Sequence, residues 1–119
     1  MSTNVYLKSG EQPRYFAFAG GVTGATGATA SAAIYKESPY STFQVIVNGA
    51  GAIGATVGIQ VSNEEATGQG TNSNWITYGT VVVSGSTAAT GGTAVMEPWR
   101  FVRANVVGAS GTVAVIMGV

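Results

Sequence analysis

The sequence predicts an all-β protein, an antiparallel β-sandwich of the jelly-roll type with about seven to nine strands. Three observations predict it. Runs of β-branched and aromatic residues alternate with clusters of Gly, Ser, Thr and Asn. No stretch has the 3.6-residue periodicity of a long amphipathic helix. The length, 119 residues, suits one domain with one core.

The first third of the chain, residues 1–37, is predicted to be a weakly patterned arm before the strand-rich portion 38–119. Residues 4–8 and 14–19 are predicted strands, and residues 30–36 are either a strand or a short helix. Between them, residues 21–29 carry Gly at every third position, as collagen does, but without proline and for too few triplets. We interpret this segment as a mobile loop, with a threefold contact in a trimer as the alternative.

The strand-rich portion contains six short predicted strands, at residues 42–48, 56–62, 75–78, 80–84, 99–107 and 112–118. In the second, Val57, Ile59 and Val61 share one face, which we expect to point inward. The third and fourth meet at Gly79. The last two are predicted to form a hairpin across residues 108–111.

Residues 49–54 match the pattern G-x-G-x-x-G directly after a strand. In a dinucleotide-binding fold a helix must follow, with its N-terminus at the pyrophosphate. Residues 55–61 instead alternate as a strand, and Glu64 and Glu65 come too early for the ribose-binding carboxylate. We therefore interpret the glycines as a hairpin connection, and no cofactor is predicted.

Catalytic side chains are scarce, since the chain has no His, Cys or Asp. Nucleophiles activated by His and the common zinc sites are thus excluded. Two minor alternatives stay open: a calcium site built from Glu64, Glu65 and loop carbonyls, and a glycosidase pair that includes Glu97. The prediction is a protein that binds and assembles, without enzyme activity, cofactor or metal.

The charge content is low: charged residues make up 8% of the chain and the net charge is zero, against about 25% charged residues in ordinary domains. A surface with so few charges gives little protection against self-association, which favours a protein whose surface is covered in an assembly. The absence of a basic tract argues against nucleic acid. No secretory signal or membrane span is recognised, so we expect a protein made in the cytoplasm without a membrane partner.

Four aromatic residues lie in or beside predicted strands, namely Trp75, Tyr78, Trp99 and Phe101. They either fill the core or form an exposed platform that stacks on a sugar ring. Trp99 follows Pro98 at a strand entrance, so it is the best candidate for a half-exposed contact residue.

Arginines are enriched at the energetic centres of protein interfaces. Arg103 is predicted to share a strand face with Phe101 and Asn105, whereas Arg100, three positions earlier, would point to the opposite face of an ideal strand. An ordinary solvated arginine is the alternative. The predicted protein-interface residues are Trp99, Arg100, Phe101, Arg103 and Arg14.

Several segments taken in order resemble small β-sandwich domains of tailed-bacteriophage structural proteins. The resemblance covers residues 42–119, and the segments that carry it are residues 60–64 (QVSNE), 74–80 (NWITYGT), 98–106 (PWRFVRANV) and 111–118 (GTVAVIMG). The chain departs from the pattern after Ser62-Asn63, where Glu64-Glu65-Ala66 and a longer polar loop replace an acidic-Gly turn.

This resemblance implies a capsid decoration (cement) protein, with tail and fibre components of phages built on the same domain. It implies a homotrimer whose partner is the major capsid protein, on the outer surface of the head. Seating on a repeating lattice would add avidity without a strong single contact. The arm at residues 1–37 is expected to become ordered on docking. A carbohydrate-binding or adhesin-type β-sandwich is the alternative function.

Overall fold

A computed structural model describes residues 14–36, 38–63 and 74–118. These residues form seven antiparallel strands and no helix, which confirms the predicted all-β class. The strands are β1 (Arg14–Tyr15), β2 (Thr29–Ala30), β3 (Ile34–Tyr35), β4 (Ser41–Ser62), β5 (Ile76–Val95), β6 (Phe101–Ser110) and β7 (Thr112–Gly118). The predicted strand at residues 4–8 lies outside the described residues.

Strand β4 is the centre of the sheet. Strand β5 pairs with it along nearly its whole length on one side, from Ser41–Val95 to Val61–Ile76. On the other side, β7 pairs with the first half of β4 and β6 with the second half. The two strands predicted at residues 75–78 and 80–84 are thus parts of one longer strand that begins at Ile76, and residues 85–95 extend it beyond the prediction.

The predicted hairpin between the last two strands is wrong. Both β6 and β7 run antiparallel to β4, so they follow one another in the same direction instead of reversing. Gly111 lies between them with φ +110°, a backbone conformation that side chains with a Cβ rarely adopt. The chain bends at Gly111 without reversing its direction, because β6 before it and β7 after it both pair with β4.

Residues 49–54, interpreted from the sequence as a hairpin connection, lie inside β4, so that interpretation is also wrong. The pairing of β4 with β5 is irregular between Asn48 and Ala52, where three residues of β4 face one of β5. At the same level, Thr87 of β5 has φ +67° and Gly111 lies between β6 and β7. The glycines therefore mark a bend that crosses the three long strands.

This bend lets the sheet curl into a half-barrel. Val95 pairs beside one end of β4 and Phe101 beside the other, yet only residues 96–100 connect them. That connection reaches at most about 23 Å, whereas a straight β4 would be about 70 Å long. The two ends of β4 must therefore approach each other. A two-sheet sandwich is not confirmed, because hydrogen bonds join the strands into one sheet.

The concave side of the sheet holds the core. Val57, Ile59 and Val61 are fully buried there, as predicted. Phe16 and Phe43 pack together with ring centroids 6.1 Å apart. Burying large apolar side chains of this kind stabilises a fold by about 1.5–3 kcal/mol each.

The N-terminal part of the described chain forms an interrupted fourth strand at the outer edge of β6 and β7. Strand β1 pairs with β7, whereas β2 and β3 pair with β6. The glycine-rich segment between β1 and β2 folds back on the core, where Phe18 and Ala25 are buried and Ala25 bridges to Val113. This segment is a packed loop: a Cβ on Gly24 would lie 2.3 Å from the backbone of Gly20.

Candidate functional site

A cross-strand group of side chains lies on the convex face of the half-barrel, at the end of β4. Gln60 of β4 is flanked by Arg103 of β6 and Thr77 of β5, with which it is in register. Arg103 Nε donates to Gln60 Oε1 at 2.7 Å, and Gln60 Nε2 donates to Thr77 Oγ1 at 3.2 Å. The guanidinium of Arg103 also lies over the indole ring of Trp75, with Cζ 4.7 Å from the ring centroid.

These contacts fix the position of the Arg103 side chain. Its Nε donates to Gln60 and its Cζ lies over the Trp75 ring, so the side chain loses little further freedom when a partner binds. Partial burial lowers the pKa of Arg103 from its ordinary value, yet an arginine remains charged at neutral pH. The group can therefore present a fixed cation to a carboxylate of a partner.

A second group of residues closes the end of the half-barrel, where the 96–100 connection passes. Lys36 is only 4% exposed, and its Nζ donates to the carbonyls of Ser38 at 2.6 Å and Glu97 at 2.7 Å. Desolvation lowers the pKa of Lys36, and the Glu97 carboxylate partly opposes that shift. Its backbone N–H also donates to Arg100 O. Lys36 thus holds the connection in place.

Next to this lysine is a shallow recess of about 290 Å³ lined by Asn63, Glu97, Pro98 and Trp99. Three of its polar side-chain atoms form hydrogen bonds within the chain. Trp99 Nε1 donates to Glu97 Oε1 at 3.1 Å, and Asn63 Oδ1 accepts the backbone N–H of Arg100 at 3.0 Å. The predicted half-exposure of Trp99 agrees with its position, in which the ring packs partly against the core.

The other predicted interface residues lie in different environments. Phe101 is 8% exposed and packs in a T-shaped arrangement with Tyr35, with ring centroids 6.0 Å apart, so it offers little surface to a partner. Arg100 is exposed and its guanidinium lies 5.5 Å from the Phe101 ring centroid. Arg14 is on β1, beside Met117 of β7. Arg100 directly precedes β6, and Arg103 lies within it.

The four aromatic residues do not share one role. Phe101 is buried, Trp99 and Trp75 are half-buried, and Tyr78 is 40% exposed on β5. The core contains phenylalanines that the strand patterns did not single out, Phe16 and Phe18. No coplanar sugar-stacking platform follows from these positions.

No group of three or more His, Cys, Asp or Glu that could hold a metal occurs among the described residues, and Glu64 and Glu65 lie outside them. A recess of about 490 Å³ at the glycine-rich loop is lined by Phe18 and by Ala, Gly and Thr residues without ionisable groups. Within the described ranges, no helix is long and apolar enough to cross a membrane.

A surface feature that the sequence patterns did not indicate is the outer side of β5. This strand of 20 residues pairs with β4 on one side, and no other described strand pairs with its second side. Ile76 and Val82 on it are 52% and 72% exposed. An unpaired strand edge offers backbone N–H and C=O groups to another strand.

The chain matches no protein-family model, no curated protein and no solved structure.

Proposed function

We propose that this chain is a bacteriophage virion structural protein, a capsid decoration protein that binds the outer surface of the head and bridges coat subunits. The observation that carries the proposal is the lack of charge on the two longest strands. Neither the 22 residues of β4 nor the 20 residues of β5 include a charged side chain. Such a surface favours burial against other subunits over free solvation.

The proposed class of particle, a phage virion, rests on the resemblance to phage β-sandwich domains. The segments that carry this resemblance are residues 60–64, 74–80, 98–106 and 111–118. The partner is then the major capsid protein, and the bound form is a homotrimer on the head, assembled after synthesis in the host cytoplasm. The finer two-sheet jelly-roll arrangement belongs to the same proposal. It is supported by the bend across β4, β5 and β6–β7, which turns the two halves of each long strand toward each other.

Arg103 is the proposed anchor for the coat subunit. Its guanidinium is held by Trp75 and Gln60, and pre-organised arginines beside aromatic rings are typical of residues that dominate binding energy. The remaining guanidinium N–H groups suit a coat-protein carboxylate. Trp99 and Arg100 are placed at the rim of this contact.

The test is co-sedimentation of the purified protein with expanded heads of the phage that encodes it. Binding that saturates at a fixed number of copies per head is expected. The substitution Arg103→Ala should weaken it by about tenfold or more, while Val107→Thr, at an exposed position of the same strand, should not. Absence of binding to heads would overturn the proposal.

A carbohydrate-binding or adhesin module is the second candidate, favoured by the recess that Trp99, Glu97 and Asn63 line. Against it, the indole N–H and the asparagine oxygen are already bonded within the chain. A glycan array separates the two functions. Binding to a glycan that Trp99→Leu abolishes, without binding to heads, would support the module instead.

A further inference from the structure

The middle of β4 breaks the alternation of buried and exposed side chains. Buried side chains alternate with exposed or half-buried ones through residues 41–47, whereas the five residues from Asn48 to Ala52 are all exposed. Successive side chains of a regular strand point to opposite faces, so five exposed residues in a row indicate a segment that projects from the sheet. Residues 49–51 of this segment form the bulge opposite β5.

Gly49 is in register with none of the described strands. The pairing of β4 with β7 ends at Asn48, and its pairing with β6 begins only at Gly54. On the other side of β4, the register with β5 is interrupted from Asn48 to Ala52. The peptide unit between Asn48 and Gly49 is therefore less restrained than one inside a regular ladder, where pairing on both sides fixes the backbone.

The side chain of Asn48 is accessible to the backbone that follows it. It is exposed, and within the described ranges no hydrogen bond holds its amide. Of the six asparagines in the chain, only Asn48 is followed by glycine. Glycine has no Cβ, so no side chain shields the backbone nitrogen of Gly49 from the Asn48 carboxamide.

We propose that Asn48 is a modification site, at which cyclisation with the backbone nitrogen of Gly49 removes the side-chain amide. The Gly49 nitrogen forms a bond with Asn48 Cγ, the Cγ–Nδ2 bond breaks, and ammonia leaves with the proton of the backbone N–H. Water then opens the succinimide ring. Hydrolysis of the bond to Cγ gives aspartate, and hydrolysis of the bond to the main-chain carbonyl carbon gives isoaspartate. The sequence consumes only water and involves no oxidation or reduction.

Either product places a charge on a strand that has none. Neither β4 nor β5 contains a charged side chain, and the full chain has five acidic and five basic residues. A sixth acidic group against five basic ones changes the net charge from zero to −1 at neutral pH. The modification does not depend on the proposed function.

The first experiment follows the charge of the purified protein during incubation at mildly alkaline pH. Isoelectric focusing should show an acidic form that accumulates with time. Peptide mass mapping should place the change at Asn48, with the mass difference of NH2 replaced by OH. Asn48→Gln should abolish this form, because glutamine would have to close a larger ring. The matched control Asn105→Gln, in register with Gly58 of β4 and Ala30 of β2, should leave it unchanged.

The second experiment tests the contribution of the interrupted ladder. It compares the native protein with the chain unfolded in guanidinium chloride at the same pH and temperature. An asparagine held in a regular ladder reacts only after local unfolding, whereas we expect Asn48 to react at similar rates in the two states. A native protein that keeps Asn48 while the unfolded chain reacts would overturn the inference, as would an acidic form that persists in Asn48→Gln. Since no heads are present, these results are separate from the test of capsid binding.

Discussion

The guanidinium of Arg103 lies over the indole ring of Trp75, with 4.7 Å between Cζ and the ring centroid. The two residues are far apart in the sequence and meet on the convex face of the sheet. Gln60, on the strand between them, accepts from Arg103 Nε. A flat ring and a flat guanidinium stack well, a geometry that the ammonium group of lysine does not reproduce.

We expect Arg103→Lys to lower the free energy of unfolding by about 0.5–1 kcal/mol, because the stacked cation–π contact is weakened. Urea denaturation at fixed protein concentration measures this change in the free energy of unfolding. Arg100→Lys is the matched control, since the Arg100 guanidinium is farther from its ring, at 5.5 Å from the Phe101 centroid. A double-mutant cycle with Trp75→Leu should show coupling with Arg103. If the effects of the two substitutions on the free energy of unfolding were additive, Arg103 and Trp75 would not stabilise the fold through their contact.

Lys36→Met should lower the free energy of unfolding by about 1–3 kcal/mol, because two partly buried carbonyl groups, Ser38 O and Glu97 O, lose their donor. The control Arg100→Met removes an exposed cation at the same end and should cost less than about 0.5 kcal/mol. Thermal and urea unfolding measure both. Equal losses in the two variants would show that Lys36 acts only through its charge.

The stability contributed by Lys36 should also depend on pH. Its folded-state pKa is lowered, chiefly by desolvation, so the unfolded chain binds more protons in the range between the lowered and the ordinary value. Stability therefore rises with pH through that alkaline range. The difference in unfolding free energy between the unchanged protein and Lys36→Met should grow as pH approaches the ordinary lysine pKa. A difference that shrinks would contradict the direction of the shift.

Gly111→Ala should be among the most destabilising single changes. The backbone has φ +110°, and a Cβ there would lie 2.8 Å from Asn48 O. Strain and overpacking together are expected to cost about 2–4 kcal/mol. Gly108→Ala is the matched control, because nothing lies within 4 Å of its added Cβ, and it should be neutral or stabilising by up to about 1 kcal/mol. Similar costs at both positions would show that the bend does not depend on Gly111.

Thr87→Asn should raise the free energy of unfolding by about 1 kcal/mol. Thr87 has φ +67°, where a β-branched residue is strained and asparagine is better tolerated. The same substitution at Thr80, in regular strand, should instead lower stability, because asparagine is unfavourable in strands. Urea midpoints for the two variants check both signs. A loss of stability at Thr87 would show that its hydroxyl, bonded to Ser86 O, matters more than the backbone strain.

The alternation of apolar residues predicted segments of β4, β6 and β7 and the side chains that point inward from them. Val57, Ile59 and Val61 are buried, as are Val102, Ala104 and Val106, because side chains alternate between the two faces of any strand whatever its partners. Composition likewise determined which side chains are available for chemistry: a chain without His, Cys or Asp cannot form the sites that need them.

What the tertiary structure decided was where the chain turns and which strands become neighbours. At Gly111 and at residues 49–54, the sequence is equally compatible with a hairpin and with a bend. The pairing with β4 and β5 makes both of them bends. The contact of Arg103 with Trp75, and the uncharged edge of β5 with which no described strand pairs, also depend on strand order and register. Those are set by contacts between residues distant in sequence, whereas the sequence by itself determined the local faces of each strand and the available side chains.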